Sequence, residues 1–363
     1  MASKNIVVAR ILLPDDANVA GNVHGGTTLK LMEEAGLIVA TRYANNKDCS
    51  SSGKNSSIAA LVRFETMTFH KPILVGQVAS CTTEILYTSA RSMLVEVVVH
   101  AEDLTKGTNS VTNTGWLWYV CLSPSEASEE DGDSKWKIAK VPQMIIPTEE
   151  TALKKYEKVK VKYTMRKTVS SSQVSGLDDT SADVANTDSD FEAFKQQYTI
   201  PDDGRSPSES EQILCQMVLP GDCGPYKIAF GGFVMKLMDN AAGCSAWKHC
   251  RTNVVTVAIS DMDFVTWVRL GDLCTIRSKV VFVSSKSIEI EVVALTASAI
   301  LSKGDPVNDT IVARGLFTFV SLGSDGKVMN VPKLKLDTEQ DMKNAFLGEK
   351  RYQAAKKARG NDQ

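Results

Sequence analysis

The sequence predicts an α+β protein of two similar domains in tandem, each an antiparallel sheet packed against one long helix. A polar turn with a double glycine, followed by helical spacing of apolar residues, occurs at residues 14–26 and again at 220–232. A constant offset of 206 residues relates the two copies and pairs Glu33 with Asp239. Strand-like runs separated by short turns follow each helix, which favours antiparallel pairing. A chain of 363 residues has room for two such domains.

The first copy predicts a strand at residues 5–13, a turn, and a helix that continues to about residue 44. Residues 45–57 are polar and predict a loop. The strand-like runs of this copy are residues 58–64, 66–69, 78–87, 93–100 and 113–122.

The second copy keeps the same order around a helix predicted at residues 232–248. Its strand-like runs are residues 212–219, 253–260, 273–283, 288–296 and 310–322. The offset between the copies falls from 206 to 195 after the helix, so the first copy carries extra residues, and the polar loop at 45–57 accommodates them.

These patterns predict a first domain at residues 1–145 and a second at 207–335. Residues 146–206 are expected to form a charged helix at about 149–166, then a flexible linker, because residues 168–190 are rich in Ser, Thr and Asp. Residues 336–363 predict a charged C-terminal helix.

Composition excludes several classes of protein. A net charge of −2 gives no attraction to nucleic acid or to an anionic membrane, and no apolar run approaches the ~20 residues of a membrane span. The eight cysteines form no C-x-x-C pair, and the four histidines show no metal-ligand spacing. The N-terminus resembles no signal or transit peptide, so we expect a cytoplasmic protein with reduced thiols.

The two double glycines mark the candidate site. A helix that begins on glycines presents unpaired N–H groups and the positive end of its dipole, which can hold a developing oxyanion or a phosphate. The four glycines are Gly25, Gly26, Gly231 and Gly232. Glu33 and Asp239 follow at matching positions and are candidates to activate water or to attack an electrophile directly, although a helix carboxylate can also simply face solvent.

Two polar side chains near the first double glycine can each have either a structural or a functional role. Asn18 either stabilises the turn or orients a carbonyl group or water at the site. His24 invites a catalytic role, but Phe230 replaces it in the second copy, and a lone histidine is more often structural.

Two turns carry a basic residue beside hydroxyl groups at matching places in the repeat. These turns contain Arg91, Ser92, Lys286 and Ser287. Such turns suit contacts with phosphate or ribose, although a solvated hairpin turn explains them nearly as well. The chain has neither a P-loop nor a glycine-rich dinucleotide fingerprint.

Residues 14–26, with Leu-Met-Glu-Glu-Ala-Gly at 31–36 and Trp-Tyr-Val at 118–120, resemble the tandem-hotdog acyl-CoA thioesterases of the cytosolic long-chain type. The second copy matches through Gly231-Gly232 and the Leu-Met-Asp run that ends at Asp239, but the family usually has His at the position of Phe230 and a short polar residue at that of Gly224. The resemblance covers both repeats and both helical tails.

The resemblance implies two hotdog domains, each a sheet wrapped around its central helix, and a trimer of such chains. It implies hydrolysis of fatty acyl-CoA to fatty acid and CoA with no metal or other cofactor, no nucleic acid partner and no membrane insertion. Asn18 of the first domain and Asp239 of the second would form the working site, with Asp239 as the general base. The reverse pair, Gly224 with Glu33, lacks the amide.

Two alternatives stay open at this stage. Hydratases of the same fold carry Asp-x-Asn-x-x-His, but Gly21 occupies the histidine position after Asp16 and Asn18. A non-catalytic acyl-CoA binder or sensor is the second alternative, and release of free CoA from palmitoyl-CoA separates it from an enzyme.

Overall fold

The computed structural model describes residues 7–18, 21–46, 57–65, 67–124, 136–170, 187–224, 226–298 and 309–360. The first domain contains β1 (Val8–Ile11), α1 (Gly25–Ala44), β2 (Ile58–Phe64), β3 (Met67–Phe69), β4 (Val78–Thr88), β5 (Ser92–Asp103), β6 (Thr108–Pro124) and β7 (Trp136–Ile138). Two further helices follow, α2 (Glu150–Ser170) and α3 (Thr187–Gln197).

The second domain repeats this order. It contains β8 (Gln212–Met217), α4 (Gly231–Cys250), β9 (Asn253–Ile259), β10 (Met262–Phe264), β11 (Leu273–Val283), β12 (Ser287–Ala297) and β13 (Thr310–Leu322), and α5 (Glu339–Gly360) ends the described chain. The pattern of antiparallel strands around one long helix is present in both halves, so the predicted α+β class with two hotdog domains is confirmed.

Within the described residues, thirteen strands form one continuous sheet in which the two domains lie side by side. The strand order β1-β4-β5-β6-β2 of the first domain continues across a β2–β10 pair into β10-β13-β12-β11-β8 of the second. A second antiparallel pair, β3 with β9, also crosses the boundary. Arg63 strengthens this junction through ion pairs with Asp261 at 2.5 Å and Asp263 at 2.6 Å.

The central helices α1 and α4 are buried against the sheet and approach each other closely at their N-terminal turns. A Cβ atom on Gly26 would lie 2.8 Å from the Cα of Lys236, and one on Gly232 would lie 2.9 Å from the Cα of Lys30. The two contacts are related by the repeat. Any side chain at either glycine would push the helices apart, which explains why both copies need a glycine there.

The charged helix α2 packs on the outer face of the first sheet. Val159 is buried against it, and the ring of Tyr163 stacks on Trp118 with centroids 5.4 Å apart. On the second domain, α5 covers β11 closely enough that a Cβ atom on Gly348 would lie 2.3 Å from the Cβ of Phe282. Both charged helices therefore pack on their own domain.

The interdomain segment differs from the flexible linker expected over residues 168–205. Helix α3 lies within it, and the ring of Phe194 packs on Phe346 of α5 at 5.6 Å. Tyr198 donates a hydrogen bond to the carbonyl of Leu334 at 3.2 Å. The described part of this segment is therefore anchored on the second domain, while residues 171–186 lie outside the described residues.

Candidate active site

The carboxylate of Asp239 lies at the N-terminus of the other domain's helix. Its Oδ2 accepts a hydrogen bond from the Gly26 N–H at 2.7 Å, and its Oδ1 accepts one from the Thr256 hydroxyl at 2.8 Å. Asp239 is only 3% exposed. The acid of α4 thus points across the domain boundary and meets the first turn of α1.

The loop that carries Asn18 leads into the same helix N-terminus. The Asn18 N–H donates to the Asn22 carbonyl at 2.8 Å, and the Asn22 N–H donates back to Asn18 Oδ1 at 3.2 Å. The His24 N–H then donates to the Asp16 carbonyl at 2.8 Å, immediately before α1 begins. The loop of Asn18 therefore leads directly into the helix turn that Asp239 meets, while Asn18 Oδ1 is bound within its own turn.

The surroundings of Asp239 act on its pKa in opposite directions. Burial raises the pKa of this carboxyl above its usual range, because the charged form loses hydration. The hydrogen bonds from Thr256 and Gly26, and the nearby His24, lower the pKa because they stabilise the carboxylate. Burial is the larger effect, so Asp239 is a stronger base than an exposed aspartate, and the two donors fix its orientation.

The two glycines at the start of α1 have different roles. The Gly26 N–H is taken by Asp239, whereas the Gly25 N–H donates no hydrogen bond within the described part of the chain. A Cβ atom on Gly25 would lie 3.1 Å from both Asp239 Oδ1 and the Thr256 hydroxyl oxygen. Gly25 therefore leaves a narrow space beside the acid, at the positive end of the α1 dipole.

The repeat creates a second, altered copy of this site at the N-terminus of α4. Glu33 of α1 lies beside Gly232 there, since a Cβ atom on Gly232 would be 3.4 Å from Glu33 Oε2. At the positions related by the repeat to Asn18, His24 and Thr256, this copy has Gly224, Phe230 and Leu61. Gly231 lies against Leu61, since its Cβ atom would be 2.6 Å from the leucine Cδ2.

Glu33 is left poorly solvated by these replacements. Its side chain is 1% exposed, and its Oε2 atom has no hydrogen-bond partner in the described residues. Burial raises the pKa of Glu33 to about 8, helped by the charge of Glu34, while Gly232 and Lys30 act in the opposite direction. The raised pKa favours the protonated form of Glu33 in the neutral range.

The two basic turns are the hairpins β4–β5 and β11–β12. In each, a serine hydroxyl at the start of the turn, Ser89 or Ser284, pairs with the hydroxyl of Ser92 or Ser287 at 2.7 Å. These hydroxyls therefore stabilise the turns themselves. Lys286 and Arg91 project from exposed positions at the tips.

The register of the strands relates each turn to a different site. Ser287 pairs with Val320, which pairs with Val255, the neighbour of Thr256. Ser92 pairs in the same way with Val120, which pairs with Ala60, the neighbour of Leu61. The Lys286 turn is thus on the side of Asp239 and the Arg91 turn on the side of Glu33.

Sequence reasoning missed Thr256, although a signal was present. Thr256 corresponds to Leu61 at the offset of 195, so the repeat itself marks a polar residue in one copy and an apolar one in the other. In the described residues, no group of three or more His, Cys, Asp or Glu side chains could hold a metal ion.

Comparison with known proteins assigns the class of protein. The sequence model of the thioesterase superfamily matches residues 20–108 and 226–299, one region in each domain. Among solved structures, an acyl-CoA hydrolase from Bacillus cereus is 27% identical, with a TM-score of 0.40, and covers 44% of this chain and 95% of its own. The fold and the two matched regions define a double-hotdog thioesterase.

Relatives of nearly full length define the family. Cytosolic acyl coenzyme A thioester hydrolase from Mus musculus is 36% identical over 96% of this chain and 82% of its own length. The protein of the same name from Homo sapiens is 35% identical over 95% of this chain and 82% of its own length. The chain belongs to this family of acyl-CoA thioester hydrolases, as the sequence patterns predicted.

Proposed function

We propose that this acyl-CoA thioester hydrolase cleaves fatty acyl-CoA at one working site per chain, built from Asn18 and Asp239. The observation that carries the assignment is the asymmetry of the repeat. Only the N-terminus of α1 has an amide in the adjoining loop and a carboxylate that accepts hydrogen bonds from Gly26 and Thr256. The copy around Glu33 has neither the amide nor the threonine.

In this mechanism Asp239 acts as the general base. It takes a proton from a water molecule while the water oxygen attacks the thioester carbonyl carbon, and the electron pair of the C=O bond moves to the carbonyl oxygen. The C–S bond then breaks, and the leaving sulfur of CoA receives the proton from Asp239. A positioned base of this kind typically contributes about 10²–10⁴-fold to the rate.

The start of α1 stabilises the charge that develops on the carbonyl oxygen. The Gly25 N–H is the backbone donor available there, since Gly26 holds Asp239. One such donor typically contributes about 10²–10³-fold. Asn18 orients the water or the thioester from the adjoining loop. Gly231 and Gly232, which the sequence analysis also suggested as oxyanion donors, serve the copy at Glu33 instead.

No metal or other cofactor takes part in this reaction. A thioester is activated enough for water that a carboxylate assists, so the base and the helix N-terminus supply the required chemistry. Treatment with a chelator should leave the rate unchanged, and a rate restored only by an added divalent metal would overturn this part of the proposal.

The chain acts in the cytosol and self-associates as a trimer. The names of the relatives from mouse and human, which call them cytosolic, support this location. As a separate finding, none of the described helices is long and apolar enough to cross a membrane. Apolar residues related by the repeat are exposed near both edge strands, with Leu13 54% and Leu219 55% exposed. Such apolar edges favour association, and light scattering during gel filtration measures the mass.

The release of free CoA from palmitoyl-CoA, followed with a thiol reagent, tests the function. The wild-type chain should release one CoA per acyl group, and Asp239→Asn should lose most of this activity. A wild-type chain that binds palmitoyl-CoA without releasing CoA would instead favour the binder or sensor.

A further inference from the structure

A cavity lies at the altered copy of the site, between the two domains. Its volume is about 50 Å³, and its walls come from α1, β2, the loop before α4 and the segment after β10. Most of the residues that line it are apolar, including Leu37, Ala60, Leu61, Ile228, Trp267 and Val268. The carboxyl group of Glu33 also lines it.

Glu33 makes this cavity more than a packing defect. Its Oε2 atom is buried without a hydrogen-bond partner in the described residues. Leaving a buried polar atom unsatisfied costs about 1–3 kcal/mol, so such an atom in a native protein calls for a ligand or another explanation. The unsatisfied atom here belongs to a carboxyl group in the wall of a mostly apolar cavity.

We propose that this cavity is a second ligand site, which binds the carbonyl end of an acyl group and holds it without hydrolysis. The chemical match is direct. A protonated Glu33 offers one O–H donor, which a carbonyl oxygen can accept, and the apolar walls suit the first methylene groups of an aliphatic chain. The volume admits a carbonyl group and a few carbon atoms, and the rest of the ligand extends outward.

The same residues explain why the bound acyl group survives. Gly224 supplies no amide to orient water, and the ring of Phe230 lies 3.3 Å from the position of a Cβ atom on Gly224. Leu61 replaces the threonine that holds the carboxylate in the working site. With neither an amide nor a threonine at the matching positions, this copy lacks the groups that position water in the working site.

The acyl group can come from acyl-CoA or from the free fatty acid, and both have the same carbonyl chemistry. The proposal of a second site depends on the proposed function in one respect, which is the choice of an acyl group as the ligand. Calorimetric titration with a ketone analogue of butyryl-CoA, in which a methylene group replaces the sulfur, avoids hydrolysis at either site. The result is therefore independent of whether Asp239 is the base.

The wild-type chain should bind two equivalents of the analogue. Glu33→Leu, which removes the donor at similar volume, should bind one, and Glu33→Gln should keep two because its amide donates from the same place. Ala60→Phe fills the cavity from β2 and should also bind one, which provides a test if Glu33→Leu fails to fold. One equivalent in the wild type, or two in both Glu33→Leu and Ala60→Phe, would overturn the proposal.

A competition experiment separates the two sources. Butyrate that displaces one equivalent from the wild type and none from Glu33→Leu identifies the free acid as a ligand of the second site. Two equivalents that resist butyrate identify acyl-CoA as the ligand, because the CoA portion then contributes to binding.

Discussion

The Oδ2 atom of Asp239 accepts a hydrogen bond from the Gly26 N–H at 2.7 Å, between residues 213 positions apart in the chain. The bond joins the acid of the second domain to the helix of the first. The proposed working site therefore draws on both halves of the chain.

Removal of the acid or the amide should abolish most activity. Asp239→Asn keeps the size of the side chain but removes the base, and we expect kcat to fall about 10²–10⁴-fold. Asn18→Ala should have a similar effect, and the double variant should be little worse than either single variant, because residues that act together are not additive. Release of CoA and thermal unfolding should be measured on the same samples.

The matched control is Glu33→Gln, which should lower kcat far less than Asp239→Asn. If Glu33→Gln proves to be the inactive variant and Asp239→Asn the active one, the site has been assigned to the wrong half.

Thr256→Val should impair the base without removing it. The variant loses the hydroxyl that donates to Asp239 Oδ1, so the pKa of Asp239 should rise further above its usual range. A hydrogen bond to a charged group stabilises the ionised form, so its loss favours the protonated carboxyl. The acid limb of the kcat profile should move to higher pH, and activity should partly recover in alkaline buffer.

Thr256→Ser retains a hydroxyl group and should leave the acid limb close to that of the wild type. An acid limb that stays in place in Thr256→Val would show that Thr256 does not act through Asp239.

Glu33→Gln should change how stability depends on pH. In the folded chain Glu33 keeps its proton up to a pKa of about 8, against 4.5 as the ordinary value, so unfolding releases a proton between these pH values. The free energy of unfolding of the wild type should therefore fall with rising pH, by about 1.4 kcal/mol per pH unit from this group.

Urea unfolding at pH 5, 6, 7 and 8 measures this effect as a difference between the wild type and Glu33→Gln. The variant lacks the titrating group, so the wild type should lose stability relative to it at each step. Parallel profiles would mean that Glu33 is already ionised in the folded chain.

Lys286→Ala should raise KM for acyl-CoA more than it lowers kcat. The Lys286 turn lies on the side of Asp239, and a contact with the nucleotide end of CoA is remote from the reacting atoms and provides uniform binding. Arg91→Ala, on the side of Glu33, is the matched control and should change KM less. An unchanged KM in Lys286→Ala would remove this turn from the substrate site.

The repeat made the fold predictable, because each strand pattern could be checked against its copy. Strand β11 was expected with the bounds that it has, whereas β7 and β10, with three residues each, are too short to show an alternating pattern. Helix α3 was missed because its composition is mostly polar, which obscures the aromatic pair Phe191 and Phe194. The structure shows that both rings pack on Phe346 of α5.

The site was only partly predictable for a different reason. The family resemblance suggested Asn18 and Asp239 as the working pair, and this assignment stays a prediction. The sequence could not reveal that the Gly26 N–H donates a hydrogen bond to Asp239, because no sequence spacing relates hydrogen-bond partners that lie in different domains. Thr256 and Leu61 differ visibly between the copies, but their importance appears only when the strands bring them beside the acids.

The junction between β2 and β10, with Arg63 held by Asp261 and Asp263, has a consequence for how such a protein can change over evolutionary time. Two identical single-domain subunits would face each other with two identical sites, and every substitution would appear in both. Fusion into one polypeptide removes that constraint. Each half can then diverge while its neighbour is unchanged. One site can keep the ancestral reaction, and the other can acquire a new function.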